Sequence, residues 1–159
     1  MDLDGLAKKH QTLYNQYCEK MDSIERFATK AYDSLIFVTE SYKKHWADKC
    51  PLEIKKETTP YKQITLNFAE YRMIFDFAWD KVEKMPTPSL VLRYVLIGKN
   101  ETKADYHHFA VCNETNGQWH IITADALIEW EKEFDQSIEL LLNKFVNKAI
   151  NEMYKNYVP

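Results

Sequence analysis

Five histidines and three cysteines are the side chains of this sequence that could hold a metal ion. His107 and His108 are adjacent, so in a strand they would point to opposite faces. His108 and Cys112 would share a face, but four residues of extended chain separate them by roughly 13 Å. Zinc needs all of its ligands within ~2.3 Å of one point. The spacing therefore predicts no metal site and no cofactor.

Catalytic pairs are equally hard to build from this sequence. A cysteine nucleophile would need Cys18, Cys50 or Cys112 to meet a histidine in the folded chain, and no spacing indicates such a meeting. Glu129 and Glu133 are four residues apart on a predicted helix, but the second carboxylate of an acid–base pair normally comes from another element. A solvated helix start explains this pair better. We therefore expect no catalytic residues.

Glycine usage excludes the standard phosphate-binding motifs. Gly5, Gly98 and Gly117 are far apart, whereas phosphate-cradling loops need clustered glycines that let backbone amides approach the ligand. P-loop, Rossmann and nucleophile-elbow motifs are therefore excluded. The net charge of −3 supplies no basic field, and only three of the 21 basic residues are arginines. We therefore expect no nucleic-acid partner.

Composition and cysteine usage predict a cytoplasmic protein. No apolar stretch approaches the roughly 18 residues that a membrane span requires, so we expect no membrane association. The first residues, Met1 to Gly5, lack the basic and apolar regions of a signal peptide. An odd number of cysteines without a C-x-x-C pair is typical of reduced thiols rather than of a secreted disulfide scaffold.

The spacing of apolar residues predicts long helices near both ends of the sequence. Residues 1–49 repeat apolar side chains every three or four positions, which is the pattern of an amphipathic helix. One long helix or a helix pair fits this pattern, and we favour a pair because a capping-box-like sequence begins at Asp22. Residues 124–157 carry a second such pattern, with Thr123 or Asp125 as the N-cap.

Between the helices the apolar period changes to two, which indicates strands. Residues 50–60 are polar and predict a connection, whereas residues 61–123 predict about five antiparallel strands in a meander. Leu90–Ile97 is apolar on both faces, as in a central strand that is covered on each side. A helix is the alternative to a strand over residues 67–84.

The dipeptide Asn116-Gly117 predicts a two-residue hairpin turn. Such a turn would set Cys112 opposite Ile121 and His120 opposite Asn113. Together with the preceding elements, it completes a single α+β domain that spans the whole chain. In this fold an antiparallel sheet lies between N-terminal helical sequence and a long C-terminal helix packed on the sheet.

The acidic start of the predicted C-terminal helix suggests a binding surface. From Asp125 to Glu139 there are six acidic residues and one lysine. Asp125, Glu129 and Glu133 would lie along one helical stripe, where like charges repel, and such a surface would suit a basic partner. A helix start favoured by the dipole is the plainer interpretation. Because no catalytic motif is present, we expect a non-catalytic protein-binding module of the inhibitor, immunity or adaptor type.

Two other functions remain open on the sequence. The doubly apolar strand and nearby aromatic residues would suit a small apolar ligand, held in a cup between the sheet and the C-terminal helix. Arg93, Tyr94, His107 and His120 would line that pocket. An enzyme with a non-standard site is the third hypothesis. Apolar stripes of this length exceed what one small sheet covers, so a homodimer is a further expectation.

Overall fold

The computed structural model describes residues 2–45, 52–59, 61–82, 88–98, 104–112, 119–122 and 127–155, and it leaves the side chains of residues 127–132 undescribed. The helices are α1 (Leu3–His45) and α2 (Trp130–Met153). The strands are β1 (Leu52–Glu57), β2 (Gln63–Phe68), β3 (Tyr71–Asp80), β4 (Ser89–Ile97), β5 (His107–Cys112), β6 (Trp119–Ile122) and β7 (Leu127–Glu129). This order of elements confirms the predicted α+β fold.

The strands of the described ranges form one antiparallel sheet in chain order, from β1 at one edge to β7 at the other. We predicted about five strands, and β1 and β7 were missed. The prediction of a connection over residues 50–60 is wrong, because β1 lies there and Leu52 is buried. Lys55 and Lys56 interrupt the apolar alternation of Leu52 and Ile54, which made this short strand look like a polar linker.

A tight hairpin joins β2 and β3. Phe68 pairs with Tyr71, which leaves Ala69 and Glu70 as the turn. Ala69 has a φ of 54°, in the left-handed region that tight hairpin turns require. Strand, rather than the alternative helix, therefore accounts for most of the described part of residues 67–84.

The register between β5 and β6 differs from the predicted one. Cys112 pairs with Trp119, and Val111 pairs with His120. The predicted register, with Cys112 opposite Ile121, is wrong by two residues. The predicted register assumed a two-residue turn at Asn116-Gly117, and these two residues lie outside the described part of the chain.

Helix α2 begins later than predicted. Leu127–Glu129 form β7, which pairs with β6, and the helix starts at Trp130. The helical prediction from residue 124 fails at this point because pairing satisfies the backbone groups of β6, and such pairing overrides local helical periodicity. Thr123 and Asp125 lie outside the described residues, and neither is the N-cap of a helix that starts at Trp130.

Helix α1 is one continuous helix of 43 residues, so the favoured helix pair is wrong. At the expected break, the backbone carbonyl of Asp22 accepts a hydrogen bond from Nε of Arg26 at 3.4 Å. The C-terminal half of α1 is held by buried residues that include Phe27, Ala31 and Leu35. Once that half is helical, each further residue adds a hydrogen bond without a new nucleation cost. The capping-box-like sequence is therefore helix interior.

Both helices pack against the same face of the sheet and share one hydrophobic core. Val91 points to the opposite face, where it forms a smaller cluster with Val82 and Val111. Leu90 and Leu92 lie in the main core and Val91 lies in the smaller cluster, so the prediction that β4 is covered on each side is confirmed. The largest fully buried side chains are Phe27, Phe75, Leu35, Leu52, Ile64, Leu66, Met73, Leu92, Ile138, Leu142, Val91 and Val111. In the described part of the chain, neither helix offers the uninterrupted apolar length that crossing a bilayer requires.

Candidate interaction surface

The first half of α1 extends away from the core. We call residues 2–22 the arm. Every residue from 2 to 17 is exposed, and the first fully buried residue of α1 is Phe27. At 1.5 Å per residue, an arm of this length reaches roughly 30 Å.

A row of large apolar side chains is exposed along the arm, and we call this row the stripe. The exposed fractions are 72% for Leu3, 49% for Leu6, 54% for Leu13, 55% for Tyr14, 60% for Tyr17 and 41% for Met21. Their spacing places all six on one side of the helix, with His10 in phase. The rings of His10 and Tyr14 stack with centroids 6.2 Å apart. The stripe is therefore a row of solvent-exposed apolar side chains, with the ring of His10 between Leu6 and Leu13.

The stripe continues the buried face of α1. Past Met21 the same helical face carries Ile24, which packs against the core, and then Ala31 and Leu35, which are buried. The arm therefore presents the kind of surface that the second half of the helix buries against the sheet. Such a surface is typical of a helix whose apolar face is buried against another part of a protein.

Local interactions hold the arm in a helical conformation. Oδ1 of Asp2 accepts a hydrogen bond from the backbone amide of Gly5 at 3.2 Å, which caps the helix. Nε2 of Gln11 donates to Oδ1 of Asn15 at 3.0 Å. Pairs of this kind contribute only a few tenths of a kcal/mol each, and short isolated helices are marginal in water. Burial of the stripe would therefore stabilise the arm.

The charged residues of the arm nearly balance and do not interrupt the stripe. They are Asp2, Asp4, Glu19 and Asp22 on the acidic side and Lys8, Lys9 and Lys20 on the basic side. A hydrogen bond with the side chain of Cys18 raises the pKa of Tyr14 above the ordinary value of a phenol. Tyr14 is therefore neutral at pH 7, and the stripe suits an apolar partner surface better than a strongly charged one.

The predicted acidic surface is not a single helical stripe. Glu129 is the last residue of β7, and only Glu133 lies within α2, where it is exposed. Asp125 lies outside the described residues, as does the side chain of Glu129. The late start of α2 therefore removes the geometry from which a shared acidic face was predicted.

The predicted ligand-pocket residues divide between the two faces of the sheet. Tyr94 and His107 are partners on β4 and β5, and their rings stack with centroids 5.1 Å apart. They line a cleft of about 710 Å³ between the sheet and α2. Burial raises the pKa of the Tyr94 phenol. Because side chains alternate along a strand, Arg93 and His120 point to the opposite face.

Arg93 belongs to an ion pair that the sequence did not reveal. Its Nε and Nη2 donate to the two carboxylate oxygens of Asp76 at 2.7 and 3.2 Å. The centroid of the Tyr106 ring lies 3.8 Å from the guanidinium carbon. The hydrogen bond with Asp76 raises the pKa of Arg93. Arg93 is thus held in the sheet by its partners and is poorly placed to bind a ligand in the cleft.

A second carboxylate of β3, Asp80, lies on the same face. Oδ2 of Asp80 is 2.8 Å from Nε2 of His108, and this hydrogen bond lowers the pKa of Asp80 below its ordinary value.

Cys112 is buried with its sulfur 4.0 Å from the hydroxyl oxygen of Ser23. Among the residues that the structure describes, no three histidine, cysteine or acidic side chains are grouped closely enough to hold a metal ion.

Comparisons with known proteins do not indicate a function, so the function must be proposed from the surfaces of the molecule. No protein-family model, no curated protein and no solved structure matches the chain. The sequence predicted that some apolar helical surface would stay uncovered, but it did not locate that surface in the arm. The residues of the stripe are visible in the sequence as a helical period, but periodicity does not tell whether the sheet reaches far enough to cover them.

Proposed function

We propose that the chain is a non-catalytic protein-binding module of the inhibitor, immunity or adaptor type, and that the stripe is its binding surface. The observation that supports this most strongly is the exposure of six large apolar residues, between 41% and 72%, along one side of a single helix. An exposed apolar patch of this size is often a site of interaction.

The size of the stripe supports a binding role. A large apolar side chain offers on the order of 200 Å², and about half of it is exposed at each position, so the stripe presents roughly 600 Å². The largest apolar patch of a typical monomer covers roughly 300–600 Å². At about 25 cal/mol per Å², its burial would contribute on the order of 15 kcal/mol, comparable with the about 4–15 kcal/mol that association costs.

The shape of the stripe favours an amphipathic helix as the bound element. The stripe is a row of side chains at helical spacing, and a second helix can place its own apolar side chains between them. Because the stripe carries no charged side chain, the matching face of the partner is expected to be apolar. This proposal replaces the basic partner that was predicted for Asp125, Glu129 and Glu133.

Photo-crosslinking inside the cells that express the chain tests this function. p-Benzoyl-phenylalanine replaces Leu13 or Tyr17 on the stripe, and matched variants carry it at Thr12 or Asn15, exposed on the opposite side of the arm. We expect a discrete protein adduct from the stripe positions, with its partner identified by mass spectrometry, and none from the control positions. No adduct at the stripe, or equal adducts on both sides, would contradict the proposal.

The cleft beside Tyr94 and His107 supports a second candidate, a small-ligand-binding protein. Its volume of about 710 Å³ is in the range of ligand sites, and Leu140 and Leu141 add apolar surface while Lys144 adds a positive charge. Thermal-shift screening against lipids and aromatic metabolites tests this candidate. A ligand that stabilises the native chain but not a Leu140→Asp variant would support it, and a flat response to every compound would count against it.

A further inference from the structure

We infer that the helix that covers the stripe is the arm of a second copy of the chain, and that the two arms lie antiparallel. This inference rests on the proposed function, because it names the protein partner of the same surface. It makes the chain a homodimer in which the stripe of each copy is buried by the other.

The area of the stripe meets the requirement of a stable dimer. Two stripes of roughly 600 Å² would bury about 1,200 Å² in total, which is the lower bound of standard protein–protein interfaces. A two-fold interface uses the same patch twice, so each copy supplies the apolar surface that the other needs. The pairing leaves no stripe exposed on either copy.

The positions of the large residues fit the antiparallel arrangement, and the bordering charges decide between it and the parallel one. The stripe runs from Leu3 to Met21, and reversal about its middle sets Leu3 of one copy level with Met21 of the other. Within one residue of the same register, Leu6 faces Tyr17. Every large side chain near one end of the stripe thereby meets a large side chain from the other end, as side chains in paired helices require.

The charges that border the stripe agree with this orientation. Counted at 100° per residue, Asp2 and Lys20 lie on the same border of the stripe, at its two ends. Antiparallel pairing brings Asp2 of each copy within two residues of Lys20 of the other, about 3 Å along the helix axis, so opposite charges approach each other twice. Parallel pairing would instead place the same border of the two copies on opposite sides of the interface, so Asp2 and Lys20 would not meet and this attraction would be lost.

The placement of the folded bodies also fits. From Phe27 onward one face of α1 is buried in the core, whereas the arm extends roughly 30 Å beyond this point. In the antiparallel dimer, each arm ends where the body of the other copy begins, so the two bodies lie at opposite ends of the paired arms.

Sedimentation equilibrium of the full chain tests the dimer. We expect a mass of twice 18.9 kDa. A Leu13→Glu, Tyr17→Glu variant places four negative charges in the interface of the dimer. Its dissociation constant for dimerisation should rise by at least about 100-fold. The control variant Thr12→Glu, Asn15→Glu adds the same charge on the opposite side of the arm and should dimerise like the native chain. Both variants should keep the circular dichroism of the native sheet, which separates lost pairing from lost folding.

Zero-length crosslinking with a carbodiimide tests the orientation. The reagent joins a carboxylate of Asp2 or Asp4 to the amine of Lys20 as an amide. Within one rigid helix, Asp4 and Lys20 are about 24 Å apart, so a crosslink between them must join two copies. We expect this crosslink between isotope-labelled and unlabelled chains that are mixed in equal amounts. A dimer without it would overturn the antiparallel arrangement.

The remaining outcomes separate this inference from the proposed function. A native chain that sediments as a monomer, or a dimer that survives the Leu13→Glu, Tyr17→Glu change, would overturn self-pairing. If the photo-adduct at Leu13 then contains a different protein, the protein-binding function still stands and only the identity of the partner is wrong. If p-benzoyl-phenylalanine gives no adduct at position 13 or at position 12, the proposed protein-binding function is contradicted as well.

Discussion

Met21 and Phe27 lie six residues apart on α1, yet Met21 is 41% exposed and Phe27 is completely buried. The ring of Phe27 contacts the rings of Phe77 and Trp119, with centroids 6.1 and 5.7 Å apart. Between Met21 and Phe27 the helix passes from solvent onto the sheet while its apolar period continues. The same sequence pattern therefore builds the core on one side of this boundary and an exposed stripe on the other.

This boundary predicts opposite effects for one substitution at two positions of α1. Leu35→Ala removes a side chain that is 1% exposed and should lower the free energy of unfolding by about 2–5 kcal/mol. Leu6→Ala, at a residue that is 49% exposed, should change it by less than about 0.5 kcal/mol in dilute solution. Urea denaturation of both variants measures the difference. Equal losses would contradict the position of the boundary.

The ion pair between Asp76 and Arg93 should contribute measurably to stability. Its side chains are 20% and 27% exposed, and two hydrogen bonds join them. A double-mutant cycle with Asp76→Ala and Arg93→Ala should give a coupling energy of about 1–2 kcal/mol, because charge-assisted hydrogen bonds exceed neutral ones. The exposed pair of Lys55 and Glu57 is the control and should give less than about 0.5 kcal/mol. A coupling as small as the control would show that the pair is merely a surface contact.

The contact between Asp80 and His108 predicts a pH dependence. The pKa of Asp80 is lowered in the folded chain, so the contact stabilises the fold above the unfolded pKa of the carboxyl group. That stabilisation is lost as the pH falls through the folded value. NMR titration of the Asp80 carboxyl carbon should give a pKa below the ordinary 3.8, and His108→Ala should move it upward. An unchanged midpoint in the variant would mean that His108 is not the cause.

The turn between β2 and β3 predicts a stabilising substitution. Ala69 has a positive φ of 54°, which costs a residue with a Cβ about 1–2 kcal/mol, whereas glycine adopts it freely. Ala69→Gly should therefore raise the free energy of unfolding by up to about 1 kcal/mol, after the larger entropy of unfolded glycine is subtracted. Ala31→Gly, inside α1, should lower it by at least about 1 kcal/mol. Thermal unfolding of the two variants tests whether the first change stabilises the chain and the second destabilises it.

The sequence predicted the elements that have a long and regular apolar period. It failed at short segments where a contact with another strand decides the structure. Leu127–Glu129 continue a helical pattern but pair with β6, and Leu52 begins a strand whose alternation two lysines obscure. The break expected at Asp22 failed for the opposite reason, because the packed half of α1 extends the helix through a local capping sequence.

The candidate surface was harder to predict than the fold. Leu6 and Leu35 follow the same period, and the sequence does not tell which of them the sheet covers. The acidic stripe failed because Glu129 lies in β7 rather than in the helix. Of the predicted pocket residues, Tyr94 and His107 stack on one face of the sheet, whereas the guanidinium of Arg93 is bound by Asp76 on the other face.

Hydroxyl-radical footprinting inside the cells that express the chain tests the burial of the stripe most directly. Tyr17 and Tyr61 are 60% and 77% exposed in the single chain, so their oxidation rates would be similar if nothing covered the arm. We predict that Tyr17 is oxidised much more slowly than Tyr61, and that Leu13→Glu removes this protection. Equal oxidation of Tyr17 and Tyr61 in the native chain would contradict the assignment of the stripe as a binding surface.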